Sequence, residues 1–75
     1  MNQSTNKLSE SKRKRIVDRL NKSLKTTYFT RYHLNILYDD NKNEFYNLYN
    51  KDSDNYFYKY DELTNYINQL TNGKN

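Results

Sequence analysis

The sequence predicts an α+β fold in the order helix, strand, strand, strand, helix (αβββα). Three observations predict it. Apolar residues recur at helical spacing from Ile16 to Leu24, alternate with polar ones from Tyr32 to Tyr38, and return to helical spacing from Leu63 to Leu70.

Residues 1–7 are polar and aperiodic and read as a disordered lead-in to a single domain over residues 8–72, with 73–75 as a tail. Ser9 or Ser11 can cap the first helix, and Glu10 suits its positive end. The helix is expected to run to about Lys25. At 100° per residue, Ile16, Val17, Leu20 and Leu24 fall within an arc of roughly 100°. Lys12, Lys14, Arg15, Arg19, Lys22 and Lys25 share the complementary arc, with Asp18 the one acid among them. Arg13 falls on the apolar side near the first turn, where its stem can lie along apolar surface.

From Thr26 the period changes to two, and Tyr28–Tyr38 reads as the first strand, rich in aromatic and β-branched residues. Asp39-Asp40-Asn41-Lys42-Asn43 is turn chemistry, since Asn and Asp tolerate left-handed backbone. Glu44–Tyr49 returns as the second strand. Loops of four and of five residues give different registers and put Phe45 and Tyr46 on opposite faces, so the register stays open. Asn50–Asn55 reads as a second polar turn and Tyr56–Lys59 as a short third strand at an edge. Asp61 can cap the last helix, whose apolar residues Leu63, Tyr66, Ile67 and Leu70 follow one face. Gly73 is placed to close it. At least one helix is needed to cover the three-stranded sheet.

A chain of 75 residues buries only about 60% of the surface it exposes unfolded, so its stability is expected to be modest. Self-association into a homodimer, or a partner, would add to it. Without cysteine there is no disulfide framework and no zinc-finger spacing. No apolar run approaches the roughly 20 residues of a membrane span, and no apolar leader opens the chain, so a cytoplasmic location is expected. With 13 Asn, nine Lys and nine Tyr but no Ala, Pro or Trp, the composition follows A/T-rich codons. Part of the tyrosine wealth is therefore compositional drift.

The charge is uneven. Met1–His33 carries nine Lys and Arg against two acids, and Leu34–Glu62 carries three Lys against seven acids. Six cations on one helical arc repel one another at the spacing of Arg15 and Arg19, and a merely soluble face would mix signs. The arc, with Arg13, is therefore read as a polyanion or nucleic-acid surface. A membrane-surface role is disfavoured, because the apolar arc lacks an aromatic anchor and is needed for the core.

The tyrosines cannot all lie beneath two short helices. Tyr46, Tyr49, Tyr56 and Tyr58 are expected on an open sheet face as protein-interface anchors. The run Asn55–Tyr60 lacks the glycines of the RNA-recognition signature and the β-α-β order around it. The acidity of the hairpin also disfavours a phosphate backbone across it. Asn50, Asp52, Asp54 and Asp61 have the oxygen spacing of a calcium loop, but Asn55 stands where glycine is required and strands flank it. A turn explains them better, and no metal or cofactor is expected. His33 has no nucleophile placed beside it by the sequence, Asp39 and Asp40 lie in a wet turn, and no glycine loop cradles phosphate. No enzymatic activity is expected.

In size, charge and composition the chain is similar to the small accessory proteins of phages and mobile elements. The expected function is non-enzymatic: an inhibitor or modulator, of the anti-defence or anti-CRISPR kind, that binds a nucleoprotein or nucleic-acid-handling enzyme. The basic helix would take phosphate and the tyrosine-rich acidic hairpin would take protein. The alternatives are a small DNA- or RNA-binding regulator acting alone, and a purely protein-binding inhibitor centred on Tyr46, Tyr49 and Tyr58.

Overall fold

The computed structural model describes residues 9–72. The expected lead-in over 1–7, the Gly73 cap and the tail lie outside them. Helix α1 spans Glu10–Leu24, a short 3-10 turn spans Tyr28–Thr30, and strands β1 (His33–Tyr38), β2 (Glu44–Asn50) and β3 (Ser53–Phe57) precede helix α2 (Tyr60–Asn72). The strands form one antiparallel meander in the order β1-β2-β3, so the fold is α+β in the predicted order.

The cap of α1 is Ser9, whose side chain accepts from the Lys12 N–H at 3.1 Å. The helix closes at Lys25, which takes left-handed backbone (φ 55°). There the Lys25 N–H donates to the Lys22 carbonyl and the Thr26 N–H to the Asn21 carbonyl, both at 3.3 Å. This pair of bonds is the usual helix-terminating motif, here on a lysine where glycine is the commonest choice.

The first strand begins five residues later than the sequence predicts. Thr27 and Thr30 close a 3-10 turn first: the Thr27 N–H donates to Thr30 Oγ1 and the Thr30 N–H to the Thr27 carbonyl, each at 3.1 Å. Tyr28 and Phe29 are thereby lifted out of the strand. The β1–β2 loop has five residues, which settles the register as Ile36 opposite Tyr46 and Tyr38 opposite Glu44. Asp39 organises it, its Oδ1 accepting from the N–H groups of Asn41 and Asn43 at 2.9 and 2.8 Å. The left-handed residue is Lys42 (φ 65°), not one of the neighbouring Asn or Asp residues.

The second turn is shorter than predicted and β3 starts earlier, at Ser53 rather than Tyr56. Asn50 Oδ1 accepts from the N–H groups of Asp52 and Ser53, both at 2.8 Å, so Lys51 and Asp52 alone make the reversal. The strand ends early too. Glu62 Oε1 accepts the Tyr58 N–H at 3.2 Å, and the Lys59 carbonyl accepts from Glu62 and Leu63. The reach-back by Glu62 starts α2 at Tyr60, which puts Asp61 inside the first turn instead of at the cap.

Both helices pack on one face of the sheet. Leu20, Leu48 and Leu63 are its fully buried centre, joined by Tyr32, Leu34 and Tyr46. Ile16, Val17, Leu24, Ile36, Phe57, Tyr60, Tyr66, Ile67 and Leu70 fill in around them half-buried. One polar residue sits among them. Asn21, 7% exposed, accepts the Tyr32 N–H on Oδ1 at 2.8 Å and donates from Nδ2 to the Tyr32 carbonyl at 3.1 Å. Asn21→Ala removes both bonds and should lower stability by about 1–3 kcal/mol, read by urea denaturation. A loss below about 0.5 kcal/mol would show that the fork is not structural.

Candidate nucleic-acid and protein interface

Because α1 buries its apolar stripe, its opposite side faces outward. Lys14, Arg15, Arg19, Lys22 and Lys25 are all exposed there. Among the described residues the one ion pair is Arg13–Glu10, at 3.3 Å. The strip therefore keeps its charges available. Two predicted members are diverted from it. Lys12 Nζ lies 5.5 Å from the centroid of the Tyr60 ring, on the α2 side. Arg13 is half-buried, held by Glu10, and lines the groove beside His33.

Sequence reasoning did not include Arg31 in the site. It is exposed and borders a recess shared with Asp18, Lys22 and Lys25, so it extends the strip beyond the helix end. It also missed Tyr28 and Phe29, which are 78% and 72% exposed. Their rings meet edge to face at 5.6 Å on the Thr27–Thr30 turn, between Lys25 and Arg31 in the chain. The signal was present in the run Lys25-Thr26-Thr27-Tyr28-Phe29-Thr30-Arg31, two aromatics between flanking cations. β-branched Thr beside Tyr and Phe read instead as strand.

The other sheet face is covered by no described element. In an antiparallel pair, opposite residues share a face. His33, Asn35 and Leu37 of β1 therefore align with Tyr49, Asn47 and Phe45 of β2, and Asn47 and Tyr49 with Tyr56 and Asp54 of β3. Tyr58, just past β3, stacks on Phe45 at 5.4 Å, and His33 lies against Tyr49 at the same distance. Asn47 is buried at the centre of this face. Its Nδ2 donates to Asp54 Oδ1 at 2.7 Å and to the Asn55 carbonyl at 3.1 Å, and its Oδ1 accepts from Asn35 at 3.3 Å.

Of the four predicted interface tyrosines, Tyr56 and Tyr58 are exposed on this open face and Tyr49 is half-buried there. Tyr46 is not. The five-residue loop turns it inward, where it is 2% exposed and offers no surface to a partner. Its hydroxyl donates to Glu44 Oε2 at 2.6 Å. Burial, and then the Glu44 carboxylate, push the Tyr46 phenol well above the ordinary tyrosine range; Tyr60 and Tyr38 act the same way more weakly. Burial and then Tyr32 raise Tyr66. A phenol that holds its proton more tightly when folded stabilises the fold fully below the unfolded value of about 10 and progressively less above it. Stability should therefore fall as pH rises past about 10, and less steeply in Tyr46→Phe. Parallel curves for the two proteins in alkaline denaturation titrations would contradict this.

The acidity predicted for the tyrosine face is mostly elsewhere. Asp54 is its one carboxylate, while Asp39, Glu44 and Asp61 border a recess at the β1–β2 loop end together with Lys42 and Lys59. Asn50, first in the calcium-like spacing, spends its Oδ1 on the turn, accepting also from Ser53 Oγ at 3.1 Å. Among the described residues no group of three or more His, Asp or Glu could hold a metal ion, and no helix is long and apolar enough to cross a membrane. Compared with known proteins, the chain matches no family model, no curated protein and no solved structure.

Proposed function

We propose that this chain is a non-enzymatic accessory protein that binds a nucleoprotein or nucleic-acid-handling enzyme and inhibits or modulates it. Inhibitors of this kind are what phages and mobile elements would carry against host defence. The observation that carries the reading is the outward strip of Lys14, Arg15, Arg19, Lys22, Lys25 and Arg31, all exposed and with no ion partner among the described residues. Such a strip matches a phosphate backbone, and Tyr28 and Phe29 beside it offer ring faces to unpaired bases. The sheet face with Tyr49, Tyr56 and Tyr58 lies on the far side of the helix layer. It carries no Lys or Arg and one Asp, which suits a protein surface better than phosphate.

The test is the salt dependence of binding to the chain's partner complex. Six phosphate contacts give a log–log slope of about −5 on duplex DNA and about −4 on a single strand. A slope near zero would remove phosphate from the interface. The extension of the strip by Arg31 favours a second reading, a DNA- or RNA-binding regulator acting alone. Affinity for naked nucleic acid separates the two. A lone regulator reaches about 10 nM or tighter on its own site at physiological salt, whereas non-specific phosphate contact stays near 1–100 µM.

A further inference from the structure

Strand β1 is an outer strand of the sheet, with no described strand beyond it. The Asp39 N–H donates to the Asn43 carbonyl at 3.0 Å, and in an antiparallel ladder such bonded pairs recur at every second residue. Leu37–Phe45, Asn35–Asn47 and His33–Tyr49 are therefore the bonded pairs. The N–H and C=O groups of Leu34 and Ile36 point away from β2, and among the described residues they have no hydrogen-bond partner.

Tyr32 belongs to the same outward series. There the side-chain amide of Asn21 has closed both main-chain bonds, at 2.8 and 3.1 Å, in the place one peptide unit of a fourth strand would occupy. The next two rungs are open. Strand edges are usually blunted by charge, proline or a bulge. β1 has six residues, none of them Lys, Arg, Asp, Glu or Pro, whereas the opposite edge, β3, has five and carries Asp54.

The edge does not face open solvent alone. A groove of about 810 Å³ separates it from α1, with His33, Leu34 and Asn35 on one wall and Lys14, Val17 and Asp18 on the other. A second recess of about 440 Å³, farther along α1, adds Lys22, Lys25 and Arg31. With Arg13 engaged by Glu10, the two hollows present four cations against Asp18. An occupant carrying negative side chains is complementary to them.

We propose that an extended acidic segment of a partner protein adds to the β1 edge as a fourth strand, paired main chain to main chain at Leu34 and Ile36 and entering the α1–β1 groove where Leu34 lines it. Strand addition of this kind draws affinity from backbone bonds and specificity from side chains on alternate positions. A second copy of this chain fits less well, because pairing two β1 edges would bring the Lys14 and Lys22 side chains of two α1 helices together. The pairing draws on four of the cations assigned to phosphate, Lys14, Lys22, Lys25 and Arg31, but main-chain bonding at Leu34 and Ile36 is tested without nucleic acid and so fails or holds separately.

The probe is a peptide of about six residues alternating glutamate and valine, titrated into the full chain and followed by amide NMR and hydrogen exchange. Binding should slow exchange at the Leu34 and Ile36 amides. Methylating the peptide's alternate amide nitrogens on the pairing edge should weaken binding about tenfold or more, and a lysine–valine peptide should bind more weakly than the glutamate one. Ile36→Pro should also lose binding, since the N–H it removes points away from β2; because it also trims a side chain packed on the core, circular dichroism must first show the variant folded. Equal binding of the methylated and parent peptides would overturn the proposal. So would shifts confined to the open sheet face or α2, or no binding at about 1 mM peptide. Leu34 and Ile36 amides already protected in the free chain would overturn it too, as they would show the edge covered by a second copy or by the chain itself.

Discussion

Reversing Arg15 and Arg19 to glutamate should weaken binding to the partner complex about a hundredfold or more while leaving the fold intact. The two residues lie one turn apart on the outward arc, Arg19 toward its α2 side, both exposed and neither ion-paired among the described residues. Each substitution changes the charge by two, so the pair takes the chain from its net +4 to neutral. Loss of two phosphate contacts alone flattens the salt slope by about 2, and the introduced carboxylates add repulsion at the same place. Stability should move by no more than about 0.5 kcal/mol, because surface substitutions away from buried partners rarely do more. Full affinity in the folded double variant would refute a phosphate contact by α1. A matching loss for Tyr56→Ala with Tyr58→Ala, against no loss for the arginine pair, would favour the purely protein-binding reading.

The largest effect on stability is expected at Leu48. It is fully buried at the middle of the central strand, with Leu20 of α1 and Leu63 of α2 in the same cluster. Leu48→Ala should cost about 2–5 kcal/mol. A domain of this length has on the order of 4–11 kcal/mol in total, so a large share of the variant should be unfolded at 37 °C. Circular dichroism melting reads this directly. A drop of only a few degrees would show that the helix layer and the sheet do not share one cooperative core.

Element order was legible because each segment has one clear period. Helix α1 shows it best: Ile16, Val17, Leu20 and Leu24 have no competing reading, and Ser9 caps where a short polar side chain should. The errors fall where single side chains redirect the backbone. Thr27 and Thr30 bond to each other's peptide and delay β1, Asn50 tightens the second turn to two residues, and Glu62 starts α2 by bonding Tyr58. Pattern reading counts such residues as generic polar positions. The site was half legible. Charge on an amphipathic helix locates itself, so Lys14, Arg15, Arg19, Lys22 and Lys25 emerged from spacing alone. Tyr46 was assigned outward because four- and five-residue loops invert the face of every residue in β2, and only the bonds of Asp39 decide between them. Arg31 joins the strip through a recess shared with Lys22 and Lys25 that no periodicity encodes, whereas Tyr28 and Phe29 are flanked by Lys25 and Arg31 in the chain itself.

Phosphate contact by the outward face of α1 is the central claim, and recovery of the partner from cell lysate on the tagged chain, with and without nuclease, tests it most directly. The wild-type chain should retain a nucleic-acid-containing complex. That recovery should fall sharply after nuclease treatment and be absent with Arg15→Glu and Arg19→Glu. Equal recovery of one protein by wild type and double variant, unchanged by nuclease, would contradict it.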